Sequence, residues 1–121
     1  MLYLEKIVRQ SLLFDFYGEL LTEHQKNIYE DVVMNDMSYS EIARVYGISR
    51  QGIYDMVKRC DKILEDYEEK LKLVEKFVTA REKIKEVKDC IGNVRDINKE
   101  KNVEKILVEI ETKVEDILEE F

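Results

Sequence analysis

Apolar residues recur at helical spacing in two segments within the first 36 residues. The first segment runs from Leu2 to Tyr17 and predicts a helix; its apolar residues include Leu4, Ile7, Val8, Leu12, Phe14 and Phe16. Its end, LLFDFY, contains too many apolar residues for one narrow stripe, so we expect this helix to bury more than one face inside a helical domain. The alternative is that part of LLFDFY faces a second subunit or another protein.

The second segment, LTEHQKNIYEDVVMND, begins at Leu21 and also predicts a helix. Thr22 and Gln25 have the spacing of a capping box, in which each residue satisfies a backbone N–H of the first turn. Asn35 and Asp36 are expected to end this helix. Its inward face is predicted to consist of Leu21, Ile28, Tyr29, Val32 and Val33.

The stretch YSEIARVYGISRQGIYDMVKR, residues 39–59, has the spacing of a helix-turn-helix motif. Ala43 falls where the two helices approach most closely. Gly47 falls at the end of the first helix, where a residue without a Cβ most easily takes a left-handed backbone. The candidate N-caps are Ser38 or Ser40 for the first helix and Ser49 for the second. The inward positions are predicted to be Ile42, Tyr46, Ile48, Ile53, Met56 and Val57.

The second helix of the motif should start at about Arg50 and shows no early stop signal. Its apolar stripe continues at steps of four and three residues through Cys60, Leu64, Tyr67, Leu71, Val74 and Val78. Such a repeat is typical of a helix that packs along another helix. A shifted stripe follows, so we expect a bend or interruption near Thr79; its residues are Phe77, Ala80, Ile84, Val87, Ile91 and Val94. Gly92 and Asn93 are the first credible terminator.

Residues 95–101 read as a charged connector, and Asn102 is predicted to cap a final helix. The apolar residues of that helix are Val103, Ile106, Leu107, Ile110, Val114, Ile117, Leu118 and Phe121. Two heptad-like helices with a short connector favour an antiparallel hairpin. Such a hairpin has a thin core, so we expect it to pack on the N-terminal domain or on a second copy of the chain. We favour a homodimer over a monomer.

Composition supports a helical protein. The 121-residue chain has no Pro and only four Gly, and 39% of its residues are charged, which favours uninterrupted helix. We therefore predict an all-α fold with a helix-turn-helix domain over residues 1–62. A long helical extension or hairpin over residues 63–121 would then serve packing or dimerisation.

Charge is unevenly distributed along the chain. The formal net charge is −7; residues 1–59 contain seven Lys or Arg and nine Asp or Glu, and residues 60–121 contain 13 and 18. Most of the acidity therefore lies outside the motif. This balance argues against a protein that coats nucleic acid by bulk electrostatics. It is compatible with nucleic-acid binding through a local basic face. The affinity of such binding should be modest and should fall markedly with added salt.

Several classes of function have no support in the sequence. No apolar run reaches the roughly 18 to 20 residues that span a bilayer, and MLYLEKIVRQ lacks the features of a signal peptide, so we expect a cytoplasmic protein without membrane insertion. Cys60, Cys90 and His24 do not have zinc-site spacing, and we expect no metal and no cofactor. The carboxylates lie on charged helix faces and there is no phosphate-binding glycine loop, so we expect no enzyme activity.

The outward residues of the motif's second helix are the candidate nucleic-acid contacts. Arg50 and Gln51 at its start are placed to read guanine and adenine edges, and Tyr54 to contact a phosphate or a thymine methyl group. The residues expected near backbone phosphates are Lys58, Arg59 and Arg44. Asp55 also points outward, where phosphate repels it unless it accepts a hydrogen bond from a cytosine amino group or braces an arginine. The alternative is that all of these are ordinary solvated side chains.

Gly52 lies inside the same helix, where it costs up to about 1 kcal/mol relative to Ala. That cost suggests that another group approaches the backbone closely at this position. The group could be DNA or a neighbouring helix.

The quoted residues resemble two known groups of proteins. LTEHQKNIYEDVVMNDMSYSEIARVYGISRQGIYDMVKR resembles region 4 of sigma factors, which reads the promoter −35 element. With LLFDFYGELLTEHQ and SRQGIYDMVKRCDKILEDYEEKLKL included, residues 8–78 resemble the YlxM family of small bacterial helix-turn-helix proteins. Genes of that family tend to neighbour those of the signal recognition particle GTPases. The resemblance implies an all-α, sigma-region-4-like module in a cytoplasmic bacterial protein, with a regulatory role linked to the signal recognition particle pathway.

Two hypotheses of function follow. The first is a regulatory protein that binds nucleic acid, DNA rather than RNA, through the face around Arg50 and Lys58; a dimer would then read two half-sites. The second is a non-catalytic interaction protein that uses the same fold as a scaffold. Its partner would be a protein or RNA component of the signal recognition particle.

Overall fold

A computed structural model describes the backbone of residues 2–121 and the side chains of residues 5–121; the predicted inward position of Leu4 lies outside the described side chains. Within this range the chain forms an all-α fold, as predicted. The helices are α1 (Leu2–Tyr17), α2 (Glu23–Val33), α3 (Tyr39–Tyr46), α4 (Arg50–Leu71), α5 (Leu73–Ile97) and α6 (Lys101–Glu119), and a 3₁₀ turn, Gly18–Leu20, follows α1. The chain divides into two compact units, the first ending at Val74 and the second comprising Glu75–Phe121.

The end of α1 lies in the core of the first unit. Leu13 and Tyr17 are almost fully buried and Phe14 is 9% exposed, while Asp15 between them is exposed. The Phe14 ring stacks on that of Tyr29, with ring centroids 5.6 Å apart. The crowding of apolar residues in LLFDFY therefore reflects burial against several helices at once, as the first of the two interpretations predicted.

The caps of α2 and α3 follow the sequence signals. The Thr22 hydroxyl accepts a hydrogen bond from the Gln25 backbone N–H, and the Gln25 side chain accepts one from the Thr22 backbone N–H. Of the two candidate serines it is Ser38 that caps α3, accepting from the Glu41 N–H at 3.2 Å. These local bonds satisfy backbone donors that helix starts leave unpaired.

The long helix after the motif is interrupted at Lys72, and the predicted interruption near Thr79 is wrong. Lys72 has a left-handed backbone, with φ 57° and ψ 26°, and Thr79 lies inside α5. The start of α5 is held by two side chains of the first unit. Glu68 Oε1 accepts from the Val74 N–H at 3.0 Å, and the Tyr17 hydroxyl oxygen accepts from the Leu73 N–H at 3.1 Å. These bonds offset the left-handed backbone of a non-glycine residue, which costs roughly 1 to 2 kcal/mol.

The first unit extends past residue 62, where the sequence analysis placed the domain boundary. Leu64 is fully buried, Glu68 is 6% exposed and Val74 is 3% exposed. The Arg9 guanidinium of α1 also donates to both carboxylate oxygens of Glu65, at 2.6 and 2.7 Å. The whole of α4 thus contributes to the first unit.

The second unit is an antiparallel hairpin of α5 and α6, as predicted. Lys88 forms an ion pair with Glu115, and the rings of Phe77 and Phe121 lie 5.5 Å apart between centroids. Residues early in α5 thus lie beside residues late in α6. The buried apolar residues of the hairpin include Ile84, Ile91 and Leu107.

The predicted boundaries of this hairpin need two corrections. First, α5 runs through Gly92 and Asn93 to Ile97, and Arg95 in its last turn binds the carboxylates of two residues on α6. A helical Gly costs only about 1 kcal/mol relative to Ala, and its neighbour Ile91 is buried in the hairpin, so Gly92 does not end the helix. Second, α6 starts at Lys101, so Asn102 lies within the helix and does not cap it.

Candidate nucleic-acid interface

Helices α3 and α4 form the predicted helix-turn-helix. Ile42 and Ile53 are fully buried and Val57 is 4% exposed. The predicted inward residues Tyr46, Ile48 and Met56 are half-buried at the edge of this core. Gly47 ends α3 with a left-handed backbone, φ 67° and ψ 32°, and the Ser49 hydroxyl accepts from the Gly52 N–H at 3.0 Å. The turn between the helices is thereby fixed by two residues that were predicted for these roles.

The close approach at Gly52 comes from the motif's own turn. A Cβ at this position would lie 2.7 Å from Ile48 Cγ2 and 3.1 Å from Ser49 Oγ. Ile48 and Ser49 are the two residues that precede α4. The glycine is therefore required by the packing of the turn against the first turn of α4. Neither a DNA backbone nor a neighbouring helix is needed to explain it.

The predicted contact residues are exposed. These residues are Arg44 on α3 and Arg50, Gln51, Tyr54, Asp55, Lys58 and Arg59 on α4. The first turn of α4 also differs from those of the other five α-helices that the structure describes. It contains no acidic residue, whereas the others contain Glu5, Glu23, Glu41, Glu75 and Glu104. The N-terminus of α4 therefore carries the partial positive charge of the helix dipole and the charge of Arg50, and no carboxylate in its first turn neutralises them.

Asp55 binds its neighbour Gln51. The Gln51 side-chain amide donates to Asp55 Oδ1 at 2.9 Å, one helical turn apart. Of the two ways in which Asp55 could be accommodated, bracing an arginine is not the one seen here, since its partner is the Gln51 amide. This bond uses one of the two amide hydrogens of Gln51 and leaves its carbonyl oxygen and second hydrogen for another group. Asp55 therefore orients Gln51.

Tyr54 and Lys58 form a small cluster with Tyr39. The Lys58 ammonium lies 5.4 Å from the centre of the Tyr54 ring, and the Tyr39 ring meets Tyr54 edge-on at 6.3 Å. Both Tyr54 and Lys58 also line a cleft whose other walls include Lys6 and Tyr39. The Tyr54 ring is 44% exposed. It is held in place by protein contacts and still presents part of its surface to solvent.

Two carboxylates that the sequence analysis did not single out position the motif's helices. Asp61 of α4 accepts from the Tyr29 hydroxyl at 2.7 Å and from the Gln10 amide at 2.9 Å, which ties α4 to α2 and α1. Asp31 of α2 accepts from the Tyr46 hydroxyl at 2.7 Å, which ties α2 to the end of α3. Their sequence neighbourhoods look like ordinary charged helix faces, so spacing alone gives no sign of these roles.

The tyrosines in these bonds have perturbed acidity. Burial, followed by the hydrogen bond to Asp61, raises the pKa of Tyr29. The hydrogen bond to Asp31, followed by burial, raises the pKa of Tyr46. Both phenols therefore remain protonated hydrogen-bond donors to a higher pH than an ordinary tyrosine does.

The structure gives the cysteines and possible metal ligands no shared site. Cys60 is buried and Cys90 is exposed. Among the described residues, no three His, Cys, Asp or Glu side chains are grouped so that they could hold a metal ion. None of the helices in residues 2–121 has both the length and the apolar character needed to cross a membrane.

The fold and the two-helix motif define a protein of the helix-turn-helix class. Residues 4–106 match the family model described as "Putative helix-turn-helix protein, YlxM / p13 like", and the chain belongs to this family, UPF0122. The match extends beyond the residues that carried the resemblance and includes α5 and the start of α6.

Relatives in bacteria support this assignment. The chain is 51% identical over 81 residues to a UPF0122 protein of Caldanaerobacter subterraneus, covering 67% of this chain and 69% of that protein. It is 44% identical over 90 residues to one of Shouchella clausii, covering 74% and 83%. A UPF0122 protein of Thermoanaerobacter is 40% identical over 107 residues, covering 88% and 92%. The similarity therefore includes most of both units.

Proposed function

We propose that this protein binds duplex DNA through the exposed face of α4 and acts as a cytoplasmic, non-catalytic regulator. The observation that carries the proposal is the placement of Arg50, Gln51 and Lys58. All three are exposed on the second helix of a helix-turn-helix whose other side is buried. In proteins of this class the start of the second helix enters the major groove and its first residues contact base edges.

The local charge of the motif supports the proposal although the chain as a whole has a net charge of −7. Among the exposed predicted contact residues, Arg44 on α3 and Arg50, Lys58 and Arg59 on α4 are basic, and only Asp55 is acidic. Asp55 in turn is bound to the Gln51 amide. Phosphate contacts by a few basic side chains give modest affinity that falls with added salt. A homodimer would supply two such helices and would favour a site with two half-sites.

The test is a fluorescence-anisotropy titration of mixed-sequence duplex DNA and of signal recognition particle RNA, at low and moderate salt. Wild type is compared with Arg50→Ala/Lys58→Ala. The matched control is Lys99→Ala/Lys105→Ala, which removes the same charge from exposed positions in the second unit. We expect the first variant to lose most affinity for duplex DNA and to reduce the salt slope by about one to two. We expect the control to bind like wild type.

The second candidate function is a non-catalytic interaction protein that uses the helix-turn-helix fold as a scaffold and binds a protein or RNA component of the signal recognition particle. The close contact at Gly52 is internal to the motif, so Gly52 no longer distinguishes DNA binding from this alternative. Under this alternative the Arg50→Ala/Lys58→Ala variant would bind duplex DNA as wild type does, or neither protein would bind it. Preference for the RNA, or salt-insensitive binding of a protein partner, would then identify the ligand.

A further inference from the structure

The two sides of the α5–α6 hairpin are chemically different. One side is closed by ion pairs between the helices: Lys88 of α5 with Glu115 of α6, and Arg95 of α5 with both Glu104 and Glu111. Arg95 Nε lies 3.0 Å from Glu104 Oε2. The long side chains of Lys and Arg thus cover the apolar seam on this side.

The other side exposes apolar side chains from both helices. Because successive residues are turned by about 100° around a helix, Val87 and Val94 of α5 lie to one side of Lys88 and Arg95, across the buried seam. By the same rotation, three isoleucines of α6 lie on the side away from its paired glutamates. The exposed fractions are 39% for Val87, 42% for Val94, 56% for Ile106, 38% for Ile110 and 50% for Ile117. We call these five residues the open face.

The open face has the pattern of a helix-bundle interface. On α5, Val87 and Val94 are seven residues apart, and on α6 Ile110 and Ile117 are seven residues apart, so both helices present a heptad repeat. All five residues are β-branched, with few rotamers to lose when they become buried. A two-helix hairpin with one closed side and one open face is half of an antiparallel four-helix bundle.

Charges beside the open face favour a second copy of this chain as the occupant. Next to Val87 on the exposed side of α5 lies Lys83, and next to Ile117, at the C-cap of α6, lies Glu120; both are exposed. Both residues lie at the same end of the hairpin, since Phe77 contacts Phe121 and Lys88 pairs with Glu115. If a two-fold axis parallel to the helices relates two copies, each residue keeps the same height along that axis in both copies. The same axis places α5 of one copy beside α6 of the other.

We propose that the open face is a homodimer interface, in which two hairpins form an antiparallel four-helix bundle with α5 of each copy packed on α6 of the other. In this arrangement Val87 and Val94 of one copy cover Ile117 and Ile110 of its partner, and Lys83 lies beside Glu120 of the partner copy. The interface is self-complementary, as a two-fold dimer requires. The inference stands on the second unit alone and does not depend on DNA binding by α4.

The first test is sedimentation equilibrium of the full chain at several concentrations. Wild type is expected to give twice the 14.5 kDa mass of the chain. Val94→Lys/Ile117→Lys should raise the dimer dissociation constant at least about 100-fold, since it puts four charges into the buried centre of the interface. The matched control is Val108→Lys. Val108 is 49% exposed, close to the 50% of Ile117, but it lies on α6 away from the open face. This variant should remain dimeric.

The second test is a charge exchange between Lys83 and Glu120. It leaves every apolar residue of the hairpin unchanged, so it does not put the fold of the hairpin at risk. Lys83→Glu and Glu120→Lys should each raise the dimer dissociation constant about fivefold, because each variant breaks both Lys83–Glu120 pairs of the dimer. The double variant Lys83→Glu/Glu120→Lys should recover wild-type dimerisation, and circular dichroism should give equal helix content throughout. A wild type that stays monomeric at all concentrations overturns the proposal. So does a dimer that Val94→Lys/Ile117→Lys leaves intact, or one that Val108→Lys disrupts equally.

Discussion

The Tyr17 hydroxyl donates a 2.6 Å hydrogen bond to Glu68 Oε1, joining residues 51 positions apart. Tyr17 is 1% exposed and Glu68 is 6% exposed, so the bond lies in the interior of the first unit. The same two side chains accept the Leu73 and Val74 backbone N–H groups. One buried pair therefore anchors α1 to α4 and also caps α5.

Removing the hydroxyl should destabilise the first unit. Tyr17→Phe leaves the buried Glu68 carboxylate with one donor fewer and the Leu73 N–H without its acceptor. We expect the free energy of unfolding to fall by about 1 to 3 kcal/mol, the range for breaking a buried hydrogen bond to a charged group. Urea unfolding measures this change. Tyr54→Phe is the control, because Tyr54 lies at the surface; an equal loss there would contradict the interpretation.

Gly52→Ala should destabilise the motif although Ala is the better helix former. The new Cβ would meet Ile48 Cγ2 at 2.7 Å, closer than side-chain carbons approach. In an Ile48→Ala background the same change should be neutral or stabilising, because the obstructing methyl group is gone. Thermal unfolding of the four proteins in this double-mutant cycle measures the coupling.

Gly92→Ala is the matched control for this experiment. Gly92 lies in the interior of α5, and a Cβ there would meet nothing within 4 Å. We expect this variant to gain up to about 1 kcal/mol from helix propensity. If Gly52→Ala gained as much, the proposed contact with Ile48 would be refuted.

Asp55→Asn tests the role of the outward carboxylate if α4 binds DNA. The asparagine oxygen can still accept from Gln51, while the negative charge facing phosphate is lost. We expect affinity for mixed-sequence duplex to rise by a few fold, about 1 kcal/mol or less for one exposed charge. Asp66→Asn, an exposed site further along α4, controls for net charge. Equal effects of both variants would show that Asp55 does not face the DNA.

The two cysteines should differ in reactivity. Cys60 is fully buried, and burial raises the pKa of its thiol from 9.0 to about 11. Cys90 is exposed. A thiol reagent such as Ellman's reagent should therefore titrate one thiol rapidly at pH 8 and the second only after unfolding. Cys90→Ser should abolish the fast phase; a fast phase that survives would contradict the assignment.

Stability should fall as the pH rises above about 9. Between pH 9 and 11 the unfolded chain loses the Cys60 proton while the folded chain keeps it, so the unfolded state binds fewer protons and is favoured. The slope from this one group is up to about 1.4 kcal/mol per pH unit. Tyr17 and Tyr29, whose pKa values are raised chiefly by burial, extend the decline above pH 10. Urea midpoints between pH 7 and 10.5 measure it, and Cys60→Ala should flatten the curve between pH 9 and 10.

Local signals in the sequence predicted much of the fold. Thr22, Ser49 and Gly47 act within their own helix ends, so their spacing was sufficient to place those ends, whereas spacing left Ser38 and Ser40 as alternative caps of α3. The break at Lys72 was not predictable in this way. Lysine is not a turn residue, and one of the two side chains that stabilise the break, Tyr17, lies 56 residues from the Leu73 N–H that it accepts.

In the candidate interface, too, contacts between neighbouring residues were predictable and contacts between distant residues were not. The exposure of Arg50 and Lys58 follows from helical periodicity alone. The bond between Gln51 and Asp55 joins neighbouring turns and could have been found from the four-residue spacing. The buttressing of α4 by Tyr29 and Gln10 through Asp61 required the tertiary structure, because those partners lie 32 and 51 residues away.

The contact between Ile48 and Gly52 implies that these two positions constrain each other during evolution. A branched residue in the turn permits only glycine one helical turn later, whereas a smaller turn residue would admit alanine. Covariation of the two positions among relatives would then record a steric exchange inside the motif. A glycine that never varies would report that the turn residue is always large.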